Sequence, residues 1–418
     1  MTINADAVPL TIPSHVPPER VVDVDLYRIA DSDGDPHGGW KYLQDSSPHS
    51  LLWTPRNGGH WLVTRGREIA RIYADHEHFS SRITIVPREF GEQFPLRPTT
   101  LDPPEHRLYR KFLTTALAAA VVGGAESRVR ELADAAAERV RDTGRCDAVA
   151  DFAAQIPVYL FLYLAGLPVA DAATLPRYAE DPSDASASTQ PPVMQRYADY
   201  LREALIERRR RPGSDVLSVL ITHDIDGRRL TVDEAVDVAV ALMTGGIDTV
   251  ISQLGFMLIF LARHAAHRRL LAADPASVRP AVSEMLRRFP IMTKARLVRH
   301  DQTIEGVIVR AGDMIVLPPL HGLDDREFAE PTTVDFTRRA SPHSAFGNGV
   351  HRCPGASLAT VELETALQAW LARIPEFTLD PERPPNIRAG ILTAVLSAGL
   401  QWDPTTTRQP STQVIDRA

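Results

Sequence analysis

Cysteine is almost missing from this chain: two thiols, Cys146 and Cys353, stand among 418 residues. So sparse a supply excludes a disulfide-built scaffold and fits a reducing compartment, the cytoplasm. It also excludes a four-cysteine zinc site, and His351 with Cys353 alone makes a poor tetrahedral set. A basic excess is missing too. Lys and Arg number 46 against 53 Asp and Glu, and the net charge of −7 gives no global pull toward nucleic acid. No Gly/Ser linker, low-complexity tract or internal repeat divides the chain, so one large domain is expected. Residues 1–30 carry no basic segment leading into an apolar run, so no secretory signal is expected. The most apolar stretch, 254–262, is far shorter than the ~20 residues a membrane span needs.

What is present is an ordinary globular composition, 44% hydrophobic, with helical spacing through most of the chain. Residues 1–35 are rich in Pro and Asp and are expected to wrap the surface. Short helices are expected at 38–44 and 65–74, with a hairpin between them around Asn57-Gly58-Gly59. Residues 80–100 show no steady period, and a structureless stretch of that length is often functional. Asp102-Pro103-Pro104-Glu105 reads as a helix start with Asp102 as N-cap. Helices are expected over 126–143, 147–166 and 193–211, the last ending in Arg208-Arg209-Arg210-Arg211 as a solvated final turn. The pattern 231–264 is the longest, opened by a capping box from Thr231 to Glu234, and at ~1.5 Å per residue it spans ~50 Å. Further helices are expected at 277–289 and 357–371, with strands within 303–317 and 391–402. The expected architecture is mainly α with a minor β portion: a single domain over 36–402 and a polar tail over 403–418.

Chemistry concentrates in Ser341-Pro342-His343-Ser344-Ala345-Phe346-Gly347-Asn348-Gly349-Val350-His351-Arg352-Cys353-Pro354-Gly355-Ala356. One thiol ends a glycine-spaced loop, and a helix follows it. Glycines let backbone approach a flat ligand where a Cβ would clash. The helix N-terminus and the neighbouring Arg352 favour a thiolate at Cys353. That combination suits a sulfur ligand to haem iron. The same residues also fit an inert buried thiol, or a nucleophile partnered by His351.

Three other groups invite explanation. Gly245 and Gly246, inside the longest helix, each cost about 1 kcal/mol relative to Ala. Either a ligand lies against bare backbone there, or another helix crosses closely, or the helix kinks and leaves Asp248 solvated. Asp248 places a charge in an apolar helix beside the Thr249 hydroxyl. Glu284 and Arg287, three apart, share a helix face and can pair. His106 and Arg110, four apart, also share a face and, with Arg296 and His351, offer donors to carboxylates.

The spacing Phe346-x-x-Gly349-x-His351-x-Cys353-x-Gly355 resembles the haem-binding loop of the cytochrome P450 family. Gly245-Gly246-Ile247-Asp248-Thr249 resembles that family's oxygen-activating helix, and Glu284-x-x-Arg287 its structural Glu-x-x-Arg pair. Further segments, Asn57-Gly58-Gly59-His60-Trp61, His78-Phe79-Ser80-Ser81, Leu101–Glu105 and Ala165-Gly166-Leu167-Pro168, resemble the soluble bacterial class, close to the camphor hydroxylase subfamily, over nearly the whole length.

The resemblance implies the mainly helical P450 fold and haem b ligated by Cys353. Asp248 and Thr249 would deliver protons to dioxygen. His106, Arg110, Arg296 and His351 would hold the propionates, and Phe346, Gly347, Gly355 and Gly245 would contact the cofactor. It implies a pocket of Ile85, Phe94, Leu96, Thr99, Ala241, Thr244, Met292, Ile391 and Leu392, suited to a monoterpenoid or norisoprenoid. The implied partners are a [2Fe–2S] ferredoxin and its flavin-containing, NAD(P)H-dependent reductase, docking near Arg107 and Arg110 on a monomer. Camphor hydroxylation itself, a peroxide-driven haem-thiolate enzyme and a non-catalytic haem sensor are the rival readings. Three positions depart from the camphor enzyme: Phe94 replaces a hydroxyl-bearing Tyr, Pro354 removes an N–H beside the sulfur, and Lys294 replaces an acid near the propionates.

Overall fold

The computed structural model describes residues 12–31, 34–93, 96–122, 124–173, 175, 193–339 and 342–407. It is 51% helical and 12% strand, as the periodicity predicts. Apolar side chains gather in two buried clusters. The larger is helical and includes Phe112, Phe152, Tyr197, Leu254, Met257, Leu367 and Trp370. The smaller surrounds a five-stranded sheet and includes Trp40, Trp61, Phe79, Ile315 and Val316. The sheet runs in the order Leu51–Thr54, His60–Val63, Met314–Leu317, Lys294–Val298 and Phe79–Ser80. Val16 and Leu26, from the first described segment, are buried in this sheet cluster.

The helix Val232–Gly246 opens with the expected capping box, Thr231 accepting from the Glu234 N–H while the Glu234 carboxylate accepts from the Thr231 N–H. The expected single helix is nevertheless broken. Ile247, with φ −93° and ψ −73° at the edge of the right-handed helical region, is a turn residue, and a second helix, Asp248–Arg263, continues beyond it. The two glycines just before the break lower the cost of bending there. The combined run Val232–Arg263 is long and apolar enough to cross a membrane, contrary to the short stretch read from the sequence, but it lies mostly buried within the protein. Its apolarity is that of a core element.

Other expectations change in detail. Residues 80–100 hold a short helix, Arg88–Gln93. The expected helix over 147–166 begins as a π-helical turn, Ala148–Ala153, and becomes α-helical only from Gln155 to Leu164. Asp102 does not cap its own helix, Glu105–Val122, with its side chain. Its carboxylate instead accepts from the Ser81 N–H at 2.9 Å, from the Ser80 hydroxyl and from Arg299. In the arginine run, Arg208 is not merely solvated, since it donates to Asp215 at 2.9 Å and to the Gly166 carbonyl at 2.5 Å.

Candidate functional site

The thiol loop is shaped by two left-handed glycines, Gly347 (φ +68°) and Gly349 (φ +66°). A Cβ on Gly349 would lie 2.7 Å from the Ala74 Cα and 3.0 Å from the Tyr73 carbonyl oxygen, so only glycine lets the loop press on the helix Gly66–Ala74. The Cys353 N–H donates to the Phe346 carbonyl at 2.9 Å and closes the loop. Burial pushes the Cys353 thiol up. The Gly355 N–H and the Arg110 and Arg352 charges oppose that without reversing it. The helix terminus alone therefore does not make the thiolate expected from the sequence. A bound cation does, because metal coordination deprotonates a thiol outright. Among the described residues no three His, Cys, Asp or Glu side chains gather to hold a metal ion; the lone sulfur suits an ion that brings its other ligands with it, as haem iron does.

The break in the long helix gives the second wall. A Cβ on Gly245 or Gly246 would meet nothing within 4 Å. No neighbouring element among the described residues fills that space, so the glycines serve the bend at Ile247 and leave bare backbone open to a ligand. The Thr249 hydroxyl donates to the Gly245 carbonyl at 2.5 Å, and Asp248 is buried beside it.

His106 and His351 lie together, ring centroids 4.3 Å apart. Arg110 donates to the Arg352 carbonyl at 2.7 Å, which ties the Glu105–Val122 helix to the thiol loop. Arg296 is buried with its guanidinium 5.2 Å from the Tyr73 ring centre, and its charge reaches His351. Burial, with Arg110, holds His106 down to about 4; burial, with Arg296 and His106, holds His351 down to about 3. Both ring nitrogens of His106 and Nε2 of His351 are buried without a protein partner. Buried polar atoms normally find one. This cluster of cations and orphaned donors fits the two carboxylates of haem.

Of the apolar positions, Met292 and Leu392 are paired by an antiparallel bridge, flanked by Thr293 N–H to Ile391 carbonyl at 2.9 Å. Ala241 sits one turn before the glycines and Thr244 directly before them, with the Thr244 hydroxyl bonded to the Val240 carbonyl at 2.8 Å. Ile85, Leu96 and Thr99 are half-buried on the 80–100 segment; Phe94 lies outside the described residues. Glu284 and Arg287 form a two-pronged pair, both bonds 2.8 Å. Arg287 also donates to the carbonyls of Gly322, Pro331 and Thr333, while Glu284 accepts from Arg338 and the Asp335 N–H.

Sequence reasoning missed Tyr73, whose hydroxyl burial pushes up to about 12. It missed the Asp102–Arg299 brace. It missed Glu362 as well, a buried acid pushed up to about 8 by burial, with Oε2 unpartnered. Only Glu362 left a signal, an acid four residues from both Leu358 and Ala366 on an apolar helix stripe.

The cytochrome P450 family profile matches residues 277–400. A probable cytochrome P450 127A1 from Sinorhizobium fredii is 31% identical over 401 residues, 94% of this chain and 97% of the relative. Nocardicin C N-oxygenase from Nocardia uniformis is 31% identical over 389 residues, 88% of this chain and 97% of that enzyme. The crystal structure of CYP101J2 superposes with a TM-score of 0.86 at 38% identity, covering 94% of this chain and all of the other. Sequence, fold and the thiol loop agree: the chain belongs to the cytochrome P450 family and is a haem b monooxygenase.

Proposed function

We propose that this monooxygenase hydroxylates an unactivated C–H bond of a compact apolar molecule, a monoterpenoid or norisoprenoid, with O2 and electrons from a [2Fe–2S] ferredoxin and its flavin-containing reductase. What supports the reading is the character of the residues that the resemblance assigns to the pocket: Ile85, Leu96, Ala241, Met292, Ile391 and Leu392 are apolar, and Thr244 already spends its hydroxyl on the Val240 carbonyl. Such a surface binds by excluding water and offers a charged or strongly polar substrate little compensation. Bound haem supplies the activation of dioxygen and the oxidising power that removes hydrogen from carbon.

The remaining work belongs to side chains. Cys353 provides the sulfur ligand, and the Gly355 N–H takes part of its charge. His106, Arg110, Arg296 and His351 hold the propionates. Gly245 and Gly246 leave room above the macrocycle. Thr249 holds a proton at its Oγ1, and Asp248, beside it at the start of the same helix, passes protons toward it. Exposed Arg107 and Arg352, with half-buried Arg110, give an acidic ferredoxin a basic face on the thiolate side.

A panel of small terpenoids, scored by the shift of the ferric Soret band and then by product formed with a reconstituted ferredoxin and reductase, tests the reading. Tight binding and a hydroxylated terpenoid product are expected, and Thr249→Ala should lower product per NADH. A preference for a long charged fatty acid, turnover driven only by peroxide, or no product from any ligand would overturn it.

A further inference from the structure

Lys294 has no task in the site described above. It opens the strand Lys294–Val298. Successive strand residues point to opposite faces. Thr293 and Ala295, each 2% exposed, fill the core on one face. Met292, Lys294 and Arg296 share the other. At one end of this face, Met292 bridges Leu392 in the apolar pocket. At the other, Arg296 lies over Tyr73 and acts on His351. Lys294 thus stands between the pocket and the propionate cradle.

Its surroundings are unusual for a lysine. The side chain keeps some open surface, yet lost hydration and the adjacent Arg296 charge pull its ammonium down to about 8. The ammonium end is therefore the buried part of a half-buried residue. It makes no side-chain hydrogen bond or ion pair among the described residues. Asp102, the acid whose charge reaches Arg296, is already committed to Ser80, Ser81 and Arg299. Two neighbouring interior cations without an anion are costly.

We propose that Lys294 is a cofactor-binding residue whose ammonium pairs with a haem propionate beside Arg296, at the edge where cofactor and substrate pocket meet. The inference rests on the haem-binding reading of the cradle. The propionate is thereby held by two adjacent cations of opposite charge to it, Lys294 and Arg296.

The test is haem transfer from the ferric holoenzyme to excess apomyoglobin, followed by absorbance, for wild type, Lys294→Met and Lys294→Arg. Lys294→Met keeps the length of the side chain and removes the charge. It is expected to release haem about tenfold faster, the loss of roughly one charge-assisted hydrogen bond. Lys294→Arg should stay within about twofold of wild type because it keeps the charge. The carbon monoxide spectrum of each reduced protein checks that the thiolate ligates before transfer begins. If Lys294→Met fails to take up haem while Lys294→Arg takes it up, the proposal is supported. Wild-type release from Lys294→Met overturns it, as does failure of both variants, or a change confined to terpenoid affinity. A wild-type protein without thiolate-ligated haem would instead sink the underlying reading of the cradle.

Discussion

The sulfur of Cys353 receives its backbone donor from Gly355, while Pro354 between them has no N–H to give. Each hydrogen bond to a ligating thiolate withdraws charge from it and raises the potential of the metal it binds. Pro354→Leu restores an N–H on the turn beside the sulfur. The expected result is a potential higher by about 20–60 mV, the one-electron equivalent of a hydrogen bond worth about 0.5–1.5 kcal/mol. A spectroelectrochemical titration of the two proteins measures it, and an unchanged or lower value would show that the new N–H points elsewhere. At this scale the sequence is most legible where function is local. The spacing around Cys353, the Gly245–Thr249 run and the pair Glu284–Arg287 lie within a few residues of one another, so the motif carries the geometry. Tyr73 and Arg299 were illegible because their partners, Arg296 and Asp102, are 223 and 197 positions away, and no local pattern encodes such pairings.

The helix Val278–Arg288 shows how an element is fixed from outside. Its Glu284 and Arg287 are buried, and their remaining hydrogen-bonding capacity is taken up by the loop from Gly322 to Arg338. Arg287→Ala leaves the buried Glu284 carboxylate with only Arg338 and the Asp335 N–H, and should cost somewhat less than the about 3–5 kcal/mol of a fully uncompensated buried charge. The pair also sets a pH dependence. Burial raises the Glu284 carboxyl, but Arg287, the Asp335 N–H and Arg338 outweigh it and leave it below the ordinary value of 4.5. A lowered folded pKa means that the stabilisation is complete above the unfolded carboxyl pKa and disappears as pH falls through the folded one. Urea midpoints of wild type and Glu284→Gln should therefore differ most at neutral pH and converge below about pH 4. A gap that persists in acid would place the contribution in packing, not charge. The capping box at Thr231 was readable because it is a three-residue rule. The break at Ile247 was only half readable: Gly245 and Gly246 announced a weakness, but open space beside them decided that a bend, not a helix crossing, would use it.

In the whole molecule, the cofactor site lies along the seam between two hydrophobic cores. Tyr73 and the Ala295 neighbour of Lys294 and Arg296 belong to the sheet cluster, whereas Tyr109, on the helix that carries His106 and Arg110, belongs to the helical one. The thiol loop touches both: Phe346 packs on the helical core, and Gly349 presses on Ala74 beside Tyr73. Each core has its own closed packing. The seam instead collects Arg296, Lys294, Arg110 and the orphaned ring nitrogens of His106 and His351, a set that suits two carboxylates lying between them. A ligand that binds the native state alone stabilises it by about 4 kcal/mol at a thousand times its dissociation constant. Removing haem withdraws that contribution and leaves the uncompensated cations behind, so the apoprotein should open along the seam before either core melts. Amide hydrogen exchange on the holo and apo proteins reads this directly. Protection is expected to fall in Lys294–Val298, in the turn Gly349–His351 and at the start of Glu105–Val122. It should persist where Ala125–Val140 packs on Ala356–Arg373, the helix pair with the densest mutual contact in the described residues. Uniform loss of protection over both cores would mean that they are one cooperative unit and that haem stabilises the fold as a whole. No change at the seam would mean that the cation cluster is satisfied without an anion, and the cradle would lose its physical basis.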